Sequence, residues 1–117
     1  METLAQRIEL IDRHVARCKA ALASEAAASP VSLAIFAELE RKLGQLKGVI
    51  DGDARVAREH LVEAEQAADC MKLAAQADPG LSTPSVEVVS TTHDSLCVLK
   101  HEWQGASTLT KGLGDAG

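Results

Sequence analysis

The sequence predicts an all-α protein: an antiparallel, coiled-coil-like bundle of three helices, then a short fourth helix or a β-hairpin, then a flexible C-terminal tail. Three observations predict it. Apolar residues recur at alternating steps of four and three through three successive segments, the spacing of one seam along a helix. Helix-breaking corners stand between and after those segments, at Ser29-Pro30, Asp51-Gly52-Asp53 and Asp78-Pro79-Gly80. Beyond Pro79 the composition turns to Ser, Thr, Gly and Val.

The first helix, expected over about 3–28, carries Leu4, Ile8, Ile11, Val15, Cys18 and Leu22 on its seam. Thr3 and Gln6 are spaced as a capping box, in which hydroxyl and amide each satisfy one orphan backbone N–H. The second helix, about 30–51, starts with Ser29 as cap and Pro30 at the first helical position. Phe36, Leu39, Leu43, Leu46 and Ile50 form its seam, widened by Leu33, Ile35 and Val49. Gly44 and Gly48 stand four apart. Such a pair either lets a neighbouring backbone approach or weakens the helix by about 1 kcal/mol per residue against alanine.

Asp53 caps the third helix, about 53–77, whose seam is Ala57, Leu61, Ala64, Ala68, Met71 and Ala75. Alanine brings backbones close but buries little apolar area. Asp78-Pro79-Gly80 ends it, because proline cannot continue the hydrogen-bond ladder. At 1.5 Å per residue all three helices come to about 35 Å. Matched lengths and short corners predict an up-down-up domain over residues 1–78.

Residues 79–104 form an appendage expected to pack on this bundle or on a partner. Val86-Glu87-Val88-Val89 and Leu96-Cys97-Val98-Leu99 are short apolar runs that fit two strands about a turn at 91–94. They fit equally a helix starting near Thr92 or Asp94 and ending at Gly105, and the reading leans to helix over 94–103. The stretch 105–117 holds four glycines and no core, the composition of a flexible tail.

The 117 residues suit one domain, and the net charge of −5 argues against a nucleic-acid binder, which needs a basic face. Phe36 and Trp103 are the whole aromatic content, too little for base stacking. No apolar run approaches the roughly 18 residues of a membrane helix. Met1-Glu2-Thr3-Leu4 has neither the basic nor the apolar region of a secretory signal. Cys18, Cys70 and Cys97 are odd in number and suit free thiols. A cytoplasmic location is expected for this acidic, alanine-rich chain.

One constellation has metal-binding chemistry: His93-x3-Cys97-x3-His101. On a helix, residues four apart share a face about 6 Å apart, so one neighbouring pair can hold a single zinc or copper ion. All three cannot, since eight residues rise about 12 Å, and further ligands must come from elsewhere. His14 and Cys18 repeat the spacing, but Cys18 lies on the apolar seam and reads as a small buried hydrophobe. His60 sits mid-helix as in a phosphotransfer bundle, yet Glu63 stands where a positive charge is needed, so it reads as a surface histidine. No glycine-rich phosphate loop, nucleophile elbow or ExxH pair occurs; no enzyme activity and no cofactor are expected.

The expected function is a non-enzymatic protein–protein interaction module: an adaptor, an export or assembly chaperone, or a structural subunit. Strict heptads typify helices that face another chain, so a protein partner or a homo-oligomer is expected, with Ile8, Ile11, Val15, Leu39, Leu43 and Trp103 at the interface. The alternative is a zinc- or copper-binding or -sensing protein using His93, Cys97 and His101.

Overall fold

A computed structural model describes residues 3–115, with side chains described for 3–103. It contains four helices: α1 (Leu4–Ala23), α2 (Pro30–Val49), α3 (Ala54–Ala77) and α4 (Thr83–Asp115). No strand occurs among the described residues, and no helix there is long and apolar enough to cross a membrane.

The starts of the first three helices follow the expected caps. At α1 the Gln6 N–H donates to Thr3 Oγ1 (3.1 Å) and the Thr3 N–H to Gln6 Oε1 (2.7 Å). Ser29 accepts the Val31 N–H at 3.2 Å with Pro30 in the first turn of α2, and Asp53 accepts the Arg55 N–H at 2.8 Å. α1 stops at Ala23, short of residue 28, because its apolar seam ends at Leu22 and the Ser24 hydroxyl donates to the Ala21 carbonyl (2.7 Å).

The hairpin alternative for the C-terminal third is not taken: α4 is continuous and begins at Thr83, a decade of residues before the expected start. Ser85, Val89, Thr92, Leu96 and Leu99 recur at helical steps, and all five are buried. Two of the five are polar, which hid the seam. Thr92 is tolerated inside because its hydroxyl donates to the Val88 carbonyl (3.0 Å) and accepts from the Cys18 thiol (3.1 Å). The helix runs on to Asp115, through the stretch whose composition suggested a tail from 105; residues 116 and 117 lie outside the described part.

α2 packs on α3, α3 on α4, and α4 on α1, whereas α1 and α2 approach closely at few points. Long side chains bridge that last gap, Lys47 to Asp12 at 3.0 Å and Lys19 to Glu40 at 3.6 Å. Neighbours run in opposite directions: Arg7 meets Glu102 while Cys18 meets Thr92, and Glu65 meets Lys100 while Asp69 meets His93. The segment expected as an appendage to a three-helix domain is therefore a wall of the core, seated between α1 and α3.

This insertion uses the seams. Ile8, Ile11, Val15, Leu39 and Leu43, expected to face a partner, are only 1–5% exposed within the single chain, and Trp103 is half-buried against the same cluster. Ala57, Ala64, Ala68 and Ala75 are all buried along α3. Gly44 and Gly48 admit no close neighbour, since a Cβ on either would meet nothing within 4 Å. The glycine that does permit a close approach is Gly80, where a Cβ would stand 1.8 Å from the Ala27 carbonyl oxygen.

That contact belongs to a reciprocal clasp between the α1–α2 and α3–α4 connections. Asp78 accepts the Ser29 N–H (2.8 Å) and the Ser32 hydroxyl (2.7 Å) at the start of α2, and the Gly80 N–H (2.8 Å) in its own turn. Glu25 accepts the Ser82 N–H (2.8 Å) and hydroxyl (2.9 Å) at the start of α4. Each connection thus places a carboxylate at the positive end of a helix reached from the other.

Candidate metal centre

Glu65 and Asp69 stand one turn apart on α3, and His93 and Cys97 one turn apart on α4. Glu65 and Asp69 each follow a buried alanine, Ala64 and Ala68, and His93 and Cys97 follow Thr92 and Leu96. The four therefore stand at the edge of the core, with Glu65 the deepest, and small residues on α3 let the two helices come close. One donor atom from each lies within 4.8 Å of the other three. Glu65 is buried; the other three are half-buried.

The donors already form a network. The Cys97 thiol donates to Glu65 Oε1 at 3.3 Å and lies 3.3 Å from His93 Nε2. His93 Nε2 is hydrogen-bonded to Asp69 Oδ1, and His93 Nδ1 lies 3.0 Å from Asp94 Oδ1. Lys100 Nζ reaches Glu65 Oε2 at 3.1 Å, giving the buried carboxylate a cationic partner, and Lys72 stands 3.7 Å from Asp94. Burial first, then the hydrogen bond and charge of Glu65 and the charges of Asp69 and Asp94, push the Cys97 thiol up to about 11. Near neutral pH it is a protonated thiol, the opposite of an activated nucleophile.

The same set is chemically suited to one cation. Donors around a tetrahedral ion at zinc–ligand distances of 2.0–2.3 Å stand about 3.3–3.8 Å apart, within the spread here. One imidazole, one sulfur and two carboxylates form a borderline set that favours zinc over copper(I), which prefers softer ligands. With Nε2 turned to the ion, Nδ1–H would donate to Asp94, the usual carboxylate backing of a ligating histidine. The ion would have to displace the Cys97 proton and draw Glu65 from Lys100.

The structure brings together two of the three residues expected from sequence. His93 and Cys97 are adjacent, whereas His101 lies one turn beyond Cys97, exposed and outside the donor cluster. Sequence reasoning missed Glu65 and Asp69; their only signal is the Glu-x3-Asp spacing, common in a chain with 17 acidic residues. The second His-x3-Cys pair is split: Cys18 is buried against Thr92, its thiol pushed up by burial, and His14 is held below its ordinary pKa by burial and then by Arg17. His60 is half-buried, with Nδ1 covered and Glu63 3.7 Å away, surroundings that oppose a phosphoryl group.

Set against family models, curated proteins and solved structures, the chain matches none.

Proposed function

We propose that this chain is a transition-metal-binding helical bundle, holding one zinc-class divalent ion between α3 and α4 through Glu65, Asp69, His93 and Cys97. The observation that carries the reading is the convergence of four donors from two facing helices. Bundles commonly build ion sites this way, from residues one turn apart on adjacent helices. The carboxylate behind His93 and the small residues of α3 beside the site add support. The seams expected to bind a partner are filled by the chain's own helices, which leaves a protein-interaction role to the outer surface.

Cobalt(II) titration of the untagged, chelator-treated protein tests the reading, because a cysteine ligand gives an intense sulfur-to-cobalt charge-transfer band. The expected result is a single equivalent bound, displaced by zinc, with the band lost in Cys97→Ala and kept in His101→Ala. Asp94→Asn should weaken binding by about ten- to a hundredfold through loss of the outer carboxylate. Absence of the band at excess cobalt together with no bound zinc would overturn the proposal, as would binding that needs His101 rather than His93.

A further inference from the structure

We infer that the outer face shared by α1 and α4 docks a second copy of this chain, about a two-fold axis parallel to the helices. The face lies on the side of α4 that meets α1, whereas the metal donors meet α3; Asp94, the carboxylate behind His93, also lines the face. A groove of about 300 Å³ runs between the helices, with Leu10 on one lip and Val98 on the other. Leu10 is 41% and Val98 48% exposed, two of the few large hydrophobics left in solvent among the described residues. A further hollow of about 280 Å³ continues the groove along the helices, with Thr91 lining both.

Charge identifies the occupant. The α1 lip carries Arg7, His14 and Arg17, and the α4 lip carries Glu87, Asp94 and Glu102, with Arg7 and Glu102 paired to each other across the groove. A face that is basic along one edge and acidic along the other is complementary to itself under a single arrangement. A two-fold axis along the groove sets the basic lip of each copy on the acidic lip of the other, whereas an axis across it sets like charge on like. The levels also match. Arg7 pairs with Glu102 across the groove of its own chain, which places Leu10 level with Val98. Docking about the parallel axis therefore brings Leu10 of one copy to Val98 of the other, with α1 antiparallel to the second copy's α4. Two aliphatic side chains and five charges per copy make a small contact, so the dimer is expected to dissociate on dilution.

A charge-exchange experiment reads this geometry directly. By sedimentation across a concentration series, the wild-type chain should show a reversible monomer–dimer equilibrium, and Leu10→Glu should weaken association at least tenfold. Arg17→Glu and Glu87→Arg should each associate more weakly alone than when mixed, because only the mixture sets opposite charges on both pairs of facing lips. These positions are exposed, so circular dichroism should be unchanged. A wild-type chain that stays monomeric at every concentration, or charge variants that associate alone as well as mixed, would overturn the inference. Each variant should still bind one equivalent of cobalt with the charge-transfer band, since none of these residues is a donor, which separates failure here from failure of the metal reading.

Discussion

At the scale of single residues, one kind of substitution should act with opposite sign in two places. Gly44 lies inside α2, more than a turn from its end, with open space where a Cβ would stand. Gly44→Ala should therefore stabilise the protein by about 1 kcal/mol, through helix propensity and a less flexible unfolded chain. At Gly80 a Cβ would occupy the space of the Ala27 backbone carbonyl, so Gly80→Ala must part the two connections. A loss of about 1–3 kcal/mol is expected, the range of an overpacking substitution. Urea midpoints of the two variants against the wild type check both signs. Sequence spacing drew attention to the paired glycines of α2, yet the glycine that matters lies in a turn whose neighbour is 53 residues away.

At the scale of elements, the legible helices are those whose seams are apolar at every step. α1 and α2 announce themselves through Leu, Ile, Val and Phe, and α3 through alanine and its two corners. α4 was obscured because Ser85 and Thr92 occupy seam positions and valines crowd its flanks, so local preference pointed toward strand while burial enforced helix. The candidate site was half legible for a related reason. His93 and Cys97 share one helix, so spacing alone joins them. Glu65 and Asp69 join only once α4 is known to lie on α3, which no local pattern states. The clasp of Asp78 and Glu25 was equally hidden, since its partners are brought together by the connections. It has a consequence for acid stability. The Ser29 N–H first, then the Ser32 hydroxyl and the Gly80 N–H, hold the Asp78 carboxyl below the ordinary aspartate range. A carboxyl depressed in the folded state contributes stability that is full above its unfolded pKa, about 3.9, and is lost as pH falls through the lower folded value. Asp78→Asn should therefore be less stable than wild type at pH 7, and the gap should narrow steadily below about pH 4; urea unfolding across that range measures it.

At the scale of the whole molecule, α4 is the helix to which every proposal refers. One flank contributes His93 and Cys97 to the donor cluster, the opposite flank contributes Val98 and Glu87 to the self-complementary face, and the edge between them fills the core. The proposed ion site and docking face thus lie on opposite flanks of one rigid element but share Asp94, which backs His93 and lines the groove, so a modest coupling between them is expected. The order of the helices has a further consequence, in time rather than in space. α1 finds its main neighbour in α4, the last of the four described helices, and touches α2 only sparingly. During synthesis Ile8, Ile11 and Val15 must wait, uncovered, until residues near 90–100 have emerged. Burial of the first helix is then a long-range closure that makes folding late and cooperative. The interval before α4 docks is the period when those apolar side chains are open to other chains.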